Sequence, residues 1–140
     1  MVEIGANVIV KKSNIDGKGV FAAQNFKKGK VVLTWDISHT LTSKELKQLA
    51  EEEKKYVSYM DGKYVIMQPP ERFVNHSCDA NTCADNFRDI AKRDIERGEE
   101  ITADYSEETA PDFKMKCKCG SKNCRGIIKS RSAASHLVRK

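Results

Sequence analysis

The sequence predicts a mostly β protein with little helix. Three observations carry this. Short β-branched runs alternate with glycine turns along the chain. One such unit recurs: Ala22, Phe26, Gly29 and Val32 are echoed by Ala91, Ile95, Gly98 and Ile101 at the same spacings. Helical periodicity is strong at one place only.

Val8-Ile9-Val10 reads as the first strand. Asp16-Gly17-Lys18-Gly19 is a turn by composition, and Val20-Phe21-Ala22 resumes an extended segment. Phe26-Lys27-Lys28-Gly29 is a second turn, leading to a buried strand at Val31-Val32-Leu33. Thr42 or Ser43 can cap a helix, Thr42 and Glu45 match a capping box, and Leu46, Leu49 and Ala50 follow at helical spacing. Tyr64-Val65-Ile66-Met67 is a further strand, stopped by Pro69 and Pro70. Each copy of the echo reads as strand, tight turn, strand, which suggests several short β-hairpins. The stretch from Lys116 to Arg125 is irregular and rich in cysteine.

At 140 residues the chain is one domain with room for a single core. No run of about 18 apolar residues occurs, so no membrane span is expected. The start, Met1-Val2-Glu3-Ile4-Gly5, lacks the apolar stretch of a signal peptide. An intracellular, reducing compartment is expected, where cysteines serve as metal ligands or free thiols more often than as disulfides. The net charge of +5 is unevenly spread. Residues 113–140 carry nine Lys and Arg and no acid, which leaves sixteen bases against twenty acids, or −4, in the first 112 residues. The basic tail is a solvated segment or a site of weak nucleic-acid contact, and the acidic body suits a cationic, lysine-bearing substrate.

Four motifs carry chemistry. Cys117-x-Cys119-x4-Cys124 puts three thiols within eight residues, with Gly120 allowing a tight turn. This suggests zinc, which prefers four ligands; free thiols in a disordered tail are the alternative. The fourth ligand is to be drawn from Cys78, Cys83, His76 or His136. Arg72-Phe73-Val74-Asn75-His76-Ser77-Cys78 is a polar cluster suited to a heteroatom-rich ligand. It is also compatible with a Cys78 nucleophile beside a His base, or with a plain polar loop. Gly98-Glu99-Glu100-Ile101-Thr102-Ala103-Asp104-Tyr105 is a turn and a strand ending on tyrosine. Gly17-Lys18-Gly19-Val20-Phe21-Ala22 marks a hairpin turn or a close backbone approach to a ligand.

Taken in order, these four motifs resemble the SET-domain protein lysine methyltransferases, and the last resembles their post-SET zinc module. The resemblance spans about Val8 to Ile128. It implies small β-sheets around a knot-like crossing, with a SET domain over 1–112, a post-SET zinc module over 113–128 and a basic tail over 129–140. It implies S-adenosylmethionine as cofactor and a lysine-bearing protein, such as a histone, as substrate, with nuclear residence if the source is eukaryotic. The backbone at Lys18, Gly19 and Val20, together with Asn75, His76, Tyr105 and Ile127 or Ile128, would hold the cofactor. Tyr105 would be the catalytic tyrosine, and Cys78 would join Cys117, Cys119 and Cys124 on zinc. Trp35 is a candidate wall of the substrate channel or a core aromatic. Ala103 stands where the family usually has Phe or Tyr, which implies a roomier channel unless Tyr56, Tyr59 or Tyr64 fills it. Thr34, Ala80 and the Met67–Glu71 segment also depart from the family pattern. A binding module of the same fold that no longer turns over is the rival reading.

Overall fold

The computed structural model of the chain describes residues 2–4, 7–54, 56–107, 114–117 and 119–129. Most of the basic tail, and His136 within it, lie outside the described residues. The strands in chain order are β1 (Val2–Ile4), β2 (Val8–Lys12), β3 (Lys18–Ala22), β4 (Val31–Thr34), β5 (Thr40–Leu41), β6 (Val57–Met60), β7 (Lys63–Ile66), β8 (Asn75–His76), β9 (Thr82–Asp85), β10 (Arg88–Ala91), β11 (Glu100–Ala103), β12 (Lys114–Lys116) and β13 (Ile127–Lys129). They form a five-stranded sheet in the order β1-β2-β3-β11-β8, the three-stranded sheets β4-β10-β9 and β5-β7-β6, and the pair β12-β13. No helix of the described residues is long and apolar enough to cross a membrane.

The single expected helix is two short ones, α1 (Ser43–Gln48) and α2 (Glu51–Lys54). The capping box is present: the Thr42 hydroxyl accepts from the Glu45 N–H, and the Glu45 carboxylate accepts from the Thr42 N–H. Leu49 then turns extended at φ −70°, ψ 146° and ends α1. Neither helix buries a residue, so packing does not extend them.

The internal echo is realised, but not as two hairpins. β3 of the first copy pairs with β11 of the second, and β4 pairs with β10. Phe26 and Ile95 meet at the centre, each donating its N–H to the other's carbonyl at 2.8 Å. Gly29 donates to the Ala91 carbonyl and Gly98 to the Ala22 carbonyl, both at 2.8 Å. The two segments are thus related by an approximate twofold. Each turn needs its glycine, with φ of +89° at Gly29 and +94° at Gly98. The exchange stitches the two sheets over one apolar core that includes Val20, Phe26, Val32, Ile95, Ile101 and Ala103.

β8 joins β11 in parallel, with Asn75 opposite Thr102 and His76 opposite Ala103. The chain just beyond β8 meets the cysteine loop, where Asn123 Nδ2 donates to the Cys78 carbonyl at 3.1 Å. The 75–78 segment is therefore held by β11 and by the C-terminal loop.

A second core cluster holds Trp35, Val65 and Met67. The Trp35 indole N–H donates to Asp89 Oδ1 at 3.2 Å, and Asp89 is only 2 % exposed. Burial pushes the Asp89 carboxyl up to about 7; the indole N–H opposes the shift and the nearby Glu71 carboxylate adds to it. An unfolded aspartate loses its proton near pH 3.9. Between that value and about 7 the folded state binds the extra proton, so raising the pH favours unfolding. Asp89→Asn keeps an acceptor for the indole and removes this penalty. Urea denaturation should find the wild type losing about 2 kcal/mol between pH 5 and pH 8 that the variant retains. Parallel pH profiles for the two proteins would refute the assignment.

Candidate active site and metal centre

A cleft of about 260 Å³ opens beside β8. The loop before β3 forms one wall with Ile15, Asp16, Gly17 and Lys18. Tyr56, Arg72, Phe73, Asn75, His76 and Tyr105 continue it, and Lys116, Cys117, Cys119 and Ile128 close it from the C-terminal hairpin. Of the residues expected to hold a cofactor, Lys18, Asn75, His76, Tyr105 and Ile128 line this cleft.

Gly19, Val20 and Ile127 are not among the cleft-lining residues. β3 starts at Lys18, and the 19–20 segment pairs with Lys11 and Val10 on β2, while Val20 also pairs with Ile101 on β11. Val20 is wholly buried in the core, so the wall is supplied by residues two to three positions earlier. At Gly19 the fold itself calls for glycine: a Cβ there would overlap the Glu100 carboxylate and lie 2.9 Å from Ser13 Cβ. On β13, strand alternation puts Ile128 inward at 1 % exposure and leaves Ile127 at 52 %. Trp35 is a core aromatic rather than a cleft wall, packed with Val65 and Met67. Ala103 is buried on β11 beside His76 of β8, and its carbonyl accepts the Ser77 N–H at 3.0 Å.

The Asn75 amide ties the first wall in place. Its Nδ2 lies 3.0 Å from the carbonyls of Asp16 and Lys18 and from Glu100 Oε2. Two N–H groups serve three acceptors, so one is shared. Glu100 also accepts the Ser13 hydroxyl at 2.8 Å. Ser13 and Glu100 were not singled out in the sequence. Glu100 lay within a noted motif, whereas nothing marked Ser13.

Tyr105 is fixed at both ends. Its hydroxyl donates to the Val74 carbonyl, and its N–H donates to His76 Nδ1 at 3.0 Å. His76 is 5 % exposed. Burial lowers its pKa to about 4, with Asp104 opposing and Arg125 adding to the shift. The imidazole is therefore neutral: Nδ1 accepts from Tyr105, and Nε2–H faces Cys78 Sγ at 3.3 Å.

The sulfurs of Cys78, Cys117, Cys119 and Cys124 all lie within 4.8 Å of one another. A tetrahedron with Zn–S bonds of about 2.3 Å has edges of about 3.8 Å. Cys78 and Cys117 stand 3.6 Å apart, and Cys117 and Cys124 stand 3.5 Å apart. The donor set and spacing fit a tetrahedral zinc. Cys78 supplies the fourth thiol among the candidates, while Cys83 sits on β9 and His76 only borders the group. Burial works against ionisation of Cys119, but the Cys78 N–H and the Ser121 hydroxyl outweigh it and bring the thiol down to about 6. A hydrolytic role for Cys78 is disfavoured by the same contacts: its sulfur sits among three other thiols and accepts from the N–H and Nε of Arg125.

The comparisons agree with this geometry. A family model described as "SET domain" matches residues 17–106, well over half of the chain. Histone-lysine N-methyltransferase 2D of Homo sapiens is 31 % identical over 136 residues, covering 85 % of this chain and 2 % of that protein. Histone-lysine N-methyltransferase ash1 of Drosophila melanogaster is 33 % identical over 134 residues, covering 83 % of this chain and 6 % of that protein. The chain thus spans a small fraction of the length of these relatives. Among solved structures, the methyltransferase domain of human histone-lysine N-methyltransferase SETMAR superposes with a TM-score of 0.66 at 21 % identity, covering 86 % of this chain and 57 % of that one. The match of the family model over residues 17–106 and the relatives above 30 % identity lead to one assignment: the chain belongs to the SET-domain family.

Proposed function

We propose that this protein is a lysine methyltransferase that uses S-adenosylmethionine and carries a structural zinc. One observation carries the proposal: Lys18, Asn75, Tyr105 and Ile128, from four distant parts of the chain, line a single cleft beside the four-thiol cluster. When bound, S-adenosylmethionine supplies a methyl group on a cationic sulfur, which leaves without acid or base assistance. The cleft suits such a molecule. Lys18, Arg72 and Lys116 offer cations for its carboxylate, and Ile15, Phe73 and Ile128 offer an apolar surface for its base.

The remaining work is positional. The acceptor lysine must be neutral although its reference pKa is about 10.4, and a water-poor channel lowers it. The Tyr105 hydroxyl donates to the Val74 carbonyl, which fixes its direction in the cleft where the incoming amine would be aligned. The thiols tie the C-terminal hairpin to the body through Cys78, so that Ile128 and Lys116 close the cleft. On this reading the SET domain ends near residue 112, the zinc module runs over 113–128, and the tail beyond offers a weak nucleic-acid contact. The substrate is a basic, histone-like protein, in line with the names of the relatives, and the compartment is that of its substrate. The rival reading of a silent binding module draws no support from the site, because Asn75, His76 and Tyr105 all face the cleft.

The test is transfer of labelled methyl from S-adenosylmethionine to a panel of lysine-bearing proteins, with the product residue identified by mass spectrometry. Methyl-lysine is expected. None formed by folded, zinc-loaded protein with measurable cofactor affinity would favour the binding module. The same spectra test Ala103. Ala103 packs in the core and does not line the cleft, so the room it leaves acts through its neighbours, and di- and trimethyl-lysine from the wild type would support a roomier channel. Purely monomethylated product from the wild type would end the roomy-channel idea.

A further inference from the structure

Arg125 joins the thiol cluster to the turn that carries Tyr105. Its main-chain N–H and its Nε both donate to Cys78 Sγ, at 3.2 and 3.3 Å. The far end of the guanidinium donates to Asp104 Oδ1 at 2.7 Å and to the Ser106 hydroxyl at 3.2 Å. The residue between these two acceptors is Tyr105. Asp104 and Ser106 are both buried and bonded to each other, with the Ser106 hydroxyl 2.6 Å from Asp104 Oδ1. Asp104, Tyr105 and Ser106 are therefore tied into one turn. A second path leaves the same sulfur: Cys78 Sγ faces His76 Nε2, and His76 Nδ1 accepts the Tyr105 N–H. Tyr105 is thus held at its own N–H and on both flanks by bonds that lead to Cys78 Sγ, besides the bond of its hydroxyl to the Val74 carbonyl.

We propose that Arg125 is a positioning residue that makes the placement of Tyr105 depend on the metal-bound state of the Cys78 thiolate. A metal-bound thiolate accepts several N–H groups at once, and the Arg125 main-chain N–H and Nε both converge on this sulfur. The planar guanidinium can reach the sulfur with Nε and the 104–106 turn with both Nη atoms. A lysine amine has a single point of contact and cannot span the two. The proposal rests on the methyltransferase reading for its rate predictions, but not for its structural ones.

The experiment compares zinc-loaded wild type, Arg125→Lys and Arg125→Ala by zinc content, S-adenosylmethionine affinity, kcat, and the backbone amide resonance of Tyr105. Both variants should keep one zinc per chain and bind the cofactor within about threefold of wild type, since the four thiols and the cleft walls remain. Their kcat should fall about tenfold or more, and millimolar guanidinium should restore part of the loss in Arg125→Ala. In the wild type, zinc removal by a chelator should shift the Tyr105 amide strongly; in Arg125→Ala most of that shift should already be present with zinc bound. An unshifted Tyr105 amide in Arg125→Ala overturns the proposal, as does kcat within twofold of wild type. A fall in kcat matched by an equal loss of zinc or cofactor also overturns it, because Arg125 would then only support the fold. If the wild type transfers no methyl group, the methyltransferase reading fails, and the amide shifts still decide the coupling.

Discussion

Cys78→Ser should empty the metal centre and open the cleft. Cys78 is the one thiol of the four that comes from the body of the chain, 39 residues before Cys117. Without it, zinc would keep three local ligands, and the Asn123 and Arg125 hydrogen bonds would be left to hold the loop to the body. Structural zinc contributes about 10–16 kcal/mol of apparent binding energy in small thiol sites, so losing a ligand is severe. Cys117, Cys119, Lys116 and Ile128 line the cleft, and they would leave with the loop. Zinc per chain should fall well below one, methyl transfer should drop at least about 100-fold, and limited proteolysis should begin cutting after residue 113. The strand pairings β2–β3 and β3–β11 do not involve this residue, so the far-UV circular dichroism should change little. Cys83→Ser is the control and should keep its zinc and its rate. Equal zinc content in the Cys78 and Cys83 variants would show that the cluster is not the metal centre.

How much of this was legible beforehand depended on the range of each interaction. The strands around Val8–Val10, Val31–Leu33 and Tyr64–Ile66 follow from local apolar pattern, and the structure has them as β2, β4 and β7. The Thr42 capping box is equally local and was visible from its spacing. The echo was readable as a repeat, but its cross-pairing was not, because short strands alone do not say which partner they choose. Cys78 could be named as a ligand only once the resemblance was added to the cysteine count. Trp35 reads as a channel wall or a core aromatic, and the buried carboxylate of Asp89, which gives its indole a partner in the core, favours the second. Gly19 and Val20 belong to the motif that the resemblance sets on the cofactor; Val20 is buried and paired on both sides, and the cleft is lined at Asp16, Gly17 and Lys18. Arg125 was invisible as a functional residue, since its four bonds reach back 19, 21 and 47 positions in sequence.

Tyr105→Phe should remove turnover and spare binding. The ring packs 5.4 Å from the His76 ring at 58° and keeps the backbone bond to His76 Nδ1, neither of which needs the hydroxyl. The cleft walls therefore stay in place, and S-adenosylmethionine affinity should remain within a fewfold of wild type. The hydroxyl is another matter. It donates to the Val74 carbonyl and so presents its lone pairs in a fixed direction. Losing one preorganised polar group at a reacting centre costs about 100- to 1,000-fold in kcat, or about 3–4 kcal/mol. Single-turnover methyl transfer with saturating cofactor measures the chemical step directly. A kcat loss of this size with cofactor binding preserved would assign Tyr105 to the chemistry. A loss of cofactor affinity in proportion to rate would make it a wall of the cleft instead. A rate within fivefold of wild type would mean that another group aligns the amine, and Tyr56, which also lines the cleft, would be the next to test.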